Sequence, residues 1–332
     1  MAKKIKDTDY LAISTRIRAM ENGLLNRERL EQLLDAHTEE DVSKLLQECG
    51  YPDLDPHHPD AMDAAIAAVR EDTFRDLADG MPDTRYLDFF RVEYDYHNAK
   101  AALKASALDK RPDGMFSGLG RVAAADVAEA LRTGDYDNLP GKLGLALAEA
   151  KEVLETTRDP QLSDITLDRW MYADLCGVAD GTGSAFLQNY LKIRIDAENL
   201  RALVRTLRMG RNADFLRVAL LDGGTIDAES VLAVANGASM AELYAPTPLA
   251  AAAERGAEAV KGANLTAFEK CCDDAVMETL SAAQFVPFGD APLIGYLAAK
   301  ETEYRNLRIL LSGRAAGLSA DVIRARLRTG YV

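Results

Sequence analysis

The chain has few of the features that mark a membrane-spanning or zinc-binding protein. Its 332 residues contain no apolar run of about 18 residues, the length needed to cross a bilayer, so any membrane association is expected to go through a partner. The four cysteines form no CxxC pair, and Cys271 and Cys272 are adjacent. Because a structural zinc site needs spaced pairs of ligands, we expect four reduced thiols.

The sequence also lacks an excess of basic residues. The formal net charge is -14 and the isoelectric point is about 4.9. Proteins that bind nucleic acids usually carry a positive surplus, because they must neutralise phosphates. The composition therefore argues against nucleic acid as the main partner, and it disfavours broad adsorption to anionic lipid.

Recognisable catalytic machinery is missing as well. There is no P-loop, and the pair Gly181 and Gly183 follows no strand pattern, which indicates a turn. His57 and His58 lie next to Asp55 in a proline-rich stretch, where a solvated loop is favoured over a metal site. We therefore predict no catalytic, cofactor-binding or metal-binding residue, and no cofactor.

Helical periodicity is present almost throughout. One apolar stripe advances in steps of three and four residues, as it does along one face of a helix: Tyr190, Ile193, Ala197, Leu200, Val204 and Leu207. Runs of alternating valine, isoleucine and threonine, which would indicate strands, are missing. The pattern predicts an all-α protein.

A polar pattern recurs in three of the predicted helices. Each helix carries an acid, then asparagine three residues later, then a base after two more, in Phe89–Leu103, Tyr190–Val204 and Tyr296–Leu310. The asparagines are 101 residues apart (98 to 199) and then 107 apart (199 to 306). The nine repeat residues are Asp95, Asn98 and Lys100; Asp196, Asn199 and Arg201; and Glu303, Asn306 and Arg308.

A second similarity accompanies the repeat. An acidic residue near the start and glycine at the end characterise a short helical segment, found in Ala125–Gly134, Ala320–Gly330 and, more loosely, Asp227–Gly237. The two similarities predict three helical modules of about 100 residues, longer than the units of common solenoids. Their predicted ranges are 1–142, 143–247 and 248–332, arranged as a curved array or a pseudo-threefold ring.

Asparagine is a mediocre helix former, so its recurrence in one position calls for a tertiary role. The acid and the asparagine share a helix face because they are three residues apart. We expect them to hydrogen-bond a loop or a helix end inside each module. The alternative is that they line a surface used by a partner.

Basic residues are concentrated in two places. Along the second repeat helix, Arg194, Arg205 and Arg208 share a face with Arg201. Near the end of the chain, Arg324, Arg326 and Arg328 follow Arg305, Arg308 and Arg314, against the single acid Asp321. Ion pairs within the chain would explain them, and the alternative is a basic surface that meets an acidic partner.

Three stretches resemble the C subunit of the A/V-type ATPases, the counterpart of the d subunit of eukaryotic V-ATPases. They are the opening Tyr10–Leu34, the segment DYHNAKAAL at Asp95–Leu103, and the ending Glu301–Val332. The resemblance spans nearly the whole chain, and the three stretches occur in order. It implies an all-α fold of three similar modules in a pseudo-threefold, funnel-like arrangement.

The resemblance also implies a role without catalysis. Members of this family sit on the cytoplasmic face of the membrane, peripherally, between the central shaft, made of the D and F subunits, and the membrane rotor ring (the c/K/L ring). They pass torque between ATP hydrolysis or synthesis and ion transport. The alternative is a soluble helical scaffold without a membrane partner. The choice of H⁺ or Na⁺, and the direction of the reaction, are not decided by this chain.

Overall fold

The computed structural model describes residues 5–54, 57–108 and 115–332, and within these ranges the regular elements are helices, with no strand. The predicted all-α class is therefore confirmed. In chain order the α-helices are α1 Leu11–Glu21, α2 Arg27–Asp35, α3 Glu39–Glu48, α4 Pro59–Ala78, α5 Arg85–Ala107, α6 Ala124–Thr133, α7 Leu143–Thr157, α8 Pro160–Thr182, α9 Ala185–Arg208, α10 Ala213–Ala219, α11 Ala228–Ala235, α12 Met240–Tyr244, α13 Ala250–Val260, α14 Leu265–Ser281, α15 Asp290–Ala315 and α16 Ala320–Arg324. Short 3₁₀ turns occupy Asp7–Tyr10 and Ala282–Phe285.

Local sequence explains where many of these helices begin and end. Side chains of Asn26, Ser184 and Asp227 accept hydrogen bonds from backbone N–H groups in the first turns of α2, α9 and α11. Gly134 and Gly183 end α6 and α8 in the left-handed conformation that glycine adopts without strain. The boundaries are therefore set largely by caps that can be found in the sequence.

Two compact units make up the fold. Unit 1 is drawn from both ends of the chain, Met1–Pro82 and Ser239–Val332, whereas unit 2 is the continuous stretch Asp83–Ala238. Unit 2 contains the first two repeat helices, α5 and α9, and unit 1 contains the third, α15. The three-module ranges and their pseudo-threefold arrangement stay a prediction.

Unit 1 has a core to which both ends of the chain contribute. Leucines of α2 and α3 pack in one cluster with residues of α15 and with Ile323 and Leu327 near the end of the chain. Leu33, Leu46 and Leu307 are almost entirely buried there. The cluster explains why the N-terminal and C-terminal segments fold as one unit.

Unit 2 packs around its long helices. Helix α8 lies against α5, α7 and α9. The predicted apolar stripe of α9 faces this interior, since Ala197, Leu200 and Val204 are fully buried and Leu207 is half-buried. No helix in the described ranges is long and apolar enough to span a membrane.

Candidate functional site

The second and third asparagines of the repeat hold a loop in the same way. The Asn199 side chain donates to the carbonyl of Leu221 (2.9 Å) and accepts from its N–H (2.8 Å). Asn306 makes the same two bonds with Arg328, at 3.0 and 2.8 Å. Both partners lie 22 residues further along, and both asparagines are almost fully buried. A side-chain amide can satisfy the N–H and the C=O of one residue because it carries both a donor and an acceptor.

The first asparagine does the same with a shorter loop. Asn98 donates to the carbonyl of Ser117 (2.9 Å) and accepts from its N–H (2.8 Å), 19 residues along the chain. Asn98 is fully buried. Each long repeat helix therefore fixes the backbone of one residue in a following segment through two hydrogen bonds.

The acid of the second copy binds the residues just before helix α11. Asp196 accepts hydrogen bonds from the N–H groups of Thr225 (2.9 Å) and Ile226 (3.1 Å), and from the Thr225 hydroxyl. A Cβ on Gly224 would lie 2.2 Å from the Asp196 carboxylate, so the close approach requires glycine. Helix α11 begins two residues after Ile226.

The acid of the first copy adds an ionic partner to the same contacts. Asp95 accepts from the N–H groups of Arg121 (2.8 Å) and Val122 (3.3 Å), and from the Arg121 guanidinium at 2.6 Å. The guanidinium also binds Asp174 at 2.7 Å. A Cβ on Gly120 would lie 2.3 Å from the Asp95 carboxylate.

Asp95, Arg121 and Asp174 form a triad of charged side chains that is shielded from solvent. The side chains of Asp95, Arg121 and Asp174 are 0%, 10% and 5% exposed. Loss of solvation raises the pKa of Asp95, although Arg121 and the two backbone donors oppose the rise. The triad is thus a buried cluster of two carboxyl groups that share one guanidinium, the kind that is costly to break by removing the cation.

The acid of the third copy, Glu303, reaches a donor from the other end of the chain. It accepts from the N–H of Leu25 (2.5 Å), from the hydroxyl of Tyr51 and from the ammonium of Lys300. The ammonium also donates to the Tyr51 hydroxyl (2.9 Å) and lies 5.0 Å from the centre of the Tyr304 ring. Burial, followed by the Glu303 charge, raises the pKa of Tyr51 well above its usual range.

The predicted equivalence of the short accompanying segments needs correction. Helix α6 follows the loop that binds Asn98 and Asp95, whereas α16 precedes the residue that binds Asn306. The counterpart of α16 is α10, since Asn199 and Asn306 each bind a residue eight positions after the start of that helix. The two segments share the letters ADV and RTG but differ in which residue binds the repeat asparagine.

In the part of the chain that the structure describes, the three bases of the repeat pair with acids in different places. Lys100 pairs with Asp168 of α8 at 2.5 Å, and Arg201 pairs with Glu198 of its own helix. Arg308 pairs with Asp63 of α4 at 2.6 Å. Only the acid and the asparagine form the shared site, while the bases contact whichever acid is near.

Most of the basic residues along α9 and at the end of the chain are also paired. Arg194 pairs with Glu93 and lies over the Tyr190 ring, and Arg205 and Arg208, which also interact within the chain, are exposed residues. Further along, Arg324 pairs with Glu31 and Asp321, Arg328 pairs with Asp273 at 2.7 Å, and Arg326 is exposed. A basic surface that meets an acidic partner stays a prediction, with Arg205, Arg208 and Arg326 as its most accessible members.

An exposed aromatic side chain was not anticipated from the sequence. Phe285, the last residue of the 3₁₀ turn in the loop before α15, is 85% exposed, and Phe288, three residues further on, is 38% exposed. The loop is held firmly, because the Arg18 guanidinium donates to the carbonyls of Ala283 and Val286 at 2.6 Å each. A signal existed in the sequence QFVPFGD, where two phenylalanines flank a proline in a turn-forming stretch.

No cluster of three or more metal-ligating side chains was found in the described part of the chain. His57 and His58 are exposed, and the neighbouring Asp55 lies outside the described residues. The four cysteines are free thiols, and burial raises the pKa of Cys49, Cys176 and Cys271.

Comparison with known proteins identifies the family. The model of the ATP synthase (C/AC39) subunit family matches residues 13–326, so the chain belongs to this family. It is 24% identical to the C subunit of the V-type sodium ATPase of Enterococcus hirae, over 97% of this chain and 99% of that protein. It is 25% identical to the C subunit of the A-type ATP synthase of Methanocaldococcus jannaschii, over 96% and 86% of the two chains. The corresponding protein of Haloferax volcanii is 26% identical over 76% and 77%.

Proposed function

We propose that this member of the ATP synthase (C/AC39) subunit family is a non-catalytic central-stalk component of a rotary A/V-type ATPase. It links the central shaft, made of the D and F subunits, to the membrane rotor ring. It transmits torque for coupled ion transport and ATP hydrolysis or synthesis, as a peripheral protein on the cytoplasmic face of the membrane. The observation that carries the proposal is the family match across almost the entire chain.

The repeat geometry supports a mechanical role. A protein that transmits torque must resist deformation, and each long repeat helix is tied to a following loop by buried side chains. Buried polar contacts are costly to break, because each unpaired group loses its partner without gaining water. Three such ties stiffen the connections between helices, which are otherwise the most deformable parts of a helical protein.

The repeat acids and asparagines do not themselves reach a partner, since they are at most 5% exposed. A partner would instead contact the loops that they hold, or exposed groups such as Arg205, Arg208 and Phe285. Aromatic and arginine side chains are enriched at the energetic centres of interfaces. We therefore expect the contact with the shaft or the ring to involve Arg205, Arg208 or Phe285.

The decisive experiment is purification of the tagged, full-length protein from its native membranes in mild detergent, with mass spectrometry of the co-purifying chains. We expect the nucleotide-binding head subunits, the D and F shaft subunits and the ring protein. Exclusive recovery of soluble partners would overturn the proposal and favour a helical scaffold.

A charge-reversed variant tests the basic surface separately. Arg205→Glu with Arg208→Glu should weaken capture of the shaft proteins. The effect should be larger at low salt, because salt screens the interactions between exposed charges. The control with the same change in net charge is Arg132→Glu with Arg255→Glu, two exposed arginines of α6 and α13 outside the predicted surface. Equal effects of the two variants would remove α9 from the contact without affecting the family role.

A further inference from the structure

The third repeat takes its acid-binding backbone group from a distant part of the chain. In the second copy, the loop continues from Leu221, bound to Asn199, to Ile226, whose N–H binds the repeat acid. Five residues separate these two contacts along the chain. In the third copy the residue bound to asparagine is Arg328, but the N–H that binds the repeat acid belongs to Leu25.

Leu25 thus occupies the position that Ile226 has in the second copy. Its N–H donates to Glu303 at 2.5 Å, as the N–H of Ile226 donates to Asp196. A Cβ on Gly330 would lie 3.6 Å from the Leu25 carbonyl oxygen, so the segment after Arg328 lies directly against the segment around Leu25.

The helix that follows Leu25 has the same form as the helix that follows Ile226. Both α2 and α11 begin two residues later, after an N-cap, Asn26 or Asp227, whose side chain accepts from the backbone N–H three residues on, at 2.9 Å in each case. Four residues after each cap stands a buried apolar residue, Leu30 or Val231. An apolar residue before the cap and another four after it form the usual hydrophobic staple of a helix start.

A sequence pattern supports the equivalence of Leu25 with Ile226. Glycine, any residue and an aliphatic residue precede the cap in all three places: Gly120-Arg121-Val122, Gly224-Thr225-Ile226 and Gly23-Leu24-Leu25. The third instance lies between α1 and α2, although the helix that it completes, α15, comes thirteen helices later than α2.

The contact is reinforced by buried charge. Glu303, Lys300 and Tyr51 are 5%, 8% and 3% exposed and bind one another. Lys300 belongs to the same helix as Glu303, whereas Tyr51 and Leu25 come from the N-terminal segment. Partial opening would leave a buried lysine and a buried carboxylate incompletely paired, which favours opening of the whole contact at once.

We propose that the N-terminal segment Gly23–Leu54 supplies the last part of the third repeat, locked there by a buried clasp of Glu303, Lys300, Tyr51 and the Leu25 N–H. The clasp makes the N-terminal and C-terminal segments a single opening unit. Helices α2 and α3 are released only together with α16, because Arg324 of α16 pairs with Glu31 of α2 at 2.8 Å and Ile323 belongs to the same core cluster, although about 270 residues separate these helices in sequence.

Native-state hydrogen exchange on the unmodified full-length protein, with added denaturant below the unfolding midpoint, tests the clasp. Amides of α2, α3 and α16 should share one opening equilibrium and the same denaturant dependence. Exchange of α2 and α3 at least about tenfold faster than α16 would overturn the proposal, because the N-terminal segment would then detach alone.

A pair of isosteric variants gives the second test. In Glu303→Gln, exchange of α2, α3 and α16 should rise by a common factor of about ten or more. In Asp196→Asn, the increase should be confined to segments of unit 2 around α10 and α11. An increase in hydrogen exchange that is limited to Leu24–Asn26 in Glu303→Gln would contradict the clasp. If this variant does not fold, the exchange pattern of the unmodified protein decides the question.

Discussion

The first and second copies of the repeat, both in unit 2, bind the backbone before a helix in the same geometry, but the repeat acid has a different side-chain partner in each. Asp95 and Asp196 each accept two successive backbone N–H groups before a helix, and each has glycine against its carboxylate. The first copy adds the guanidinium of Arg121, while the second adds the hydroxyl of Thr225. Backbone geometry is thus shared, and the side-chain partner is free to vary.

The ionic contact of the first copy, between Asp95 and Arg121, involves more of the surrounding side chains than the contact of the second copy does. Arg121 needs a second buried acid, Asp174, to which Tyr96 and the N–H of Lys142 also point. In the second copy, the side-chain donor to Asp196 is the uncharged hydroxyl of Thr225, which needs no counter-charge. The first copy should therefore be the more sensitive of the two to loss of a single side chain.

The largest effect is expected for Arg121→Ala. It leaves Asp95 and Asp174 buried without their cation, which should lower the free energy of unfolding by about 3–5 kcal/mol. Thr225→Val, at the corresponding position of the second copy, should cost only about 1 kcal/mol. Urea unfolding can be followed through Trp170, the only tryptophan, which lies on α8 of unit 2. A cost for Arg121→Ala no larger than that for Thr225→Val would refute the distinction.

The asparagine contacts should come next. Asn199→Ala removes both bonds to the peptide of Leu221 and should cost about 1–3 kcal/mol, because these groups are buried. Asn306→Ala should cost less, since the peptide of Arg328 is only partly buried and water can replace the lost partner. Thermal unfolding by circular dichroism measures both, and the reverse order would show that burial does not set the difference.

Glycine substitutions probe the close approach to the acid. In Gly224→Ala the new methyl group would overlap the Asp196 carboxylate, which should cost about 1–3 kcal/mol. In Gly23→Ala the methyl group would meet only the Met20 carbonyl oxygen, at 3.3 Å, so a smaller loss is expected. Gly177→Ala serves as a control, because that position in α8 is open and alanine should stabilise the helix by about 0.5–1 kcal/mol.

The smallest effect concerns pH and compares Asp95 with Asp227, the N-cap of α11. The pKa of Asp95 is raised by burial, so its contribution to stability is present at low pH and is lost as pH rises through the raised value. The pKa of Asp227 is lowered by hydrogen bonds from Ser230, so its contribution is lost as pH falls through the lowered value. Carboxyl-carbon NMR titration should place Asp95 above Asp227, and an inverted order would show that Arg121 outweighs burial.

The sequence predicted the helices and the three recurring asparagine positions, because both are written in local spacing. The apolar stripe of α9 appeared as steps of three and four, and it is buried as that spacing requires. The recurrence of Asn98, Asn199 and Asn306 indicated a shared tertiary contact, and all three bind a loop peptide.

Other parts of the site could not be predicted by the same means. Asp174 carries no repeat signal, and it joins Asp95 only because α8 packs against α5. The equivalence of α16 with α10 was missed because shared letters pointed to α6. The glycine-x-aliphatic pattern would have corrected this, but one of its three instances lies near the opposite end of the chain.

By itself, the sequence determined the all-helical class, the starts and ends of many helices, and the family, since these depend on residues close together along the chain or on motifs in a fixed order. Only the tertiary structure decided which groups bind the repeat acids. The partner of Glu303 lies 278 residues away, at Leu25. That pairing depends on how the two ends of the chain pack into a common core, and the glycine-x-aliphatic pattern at Gly23 does not by itself say which acid Leu25 will bind.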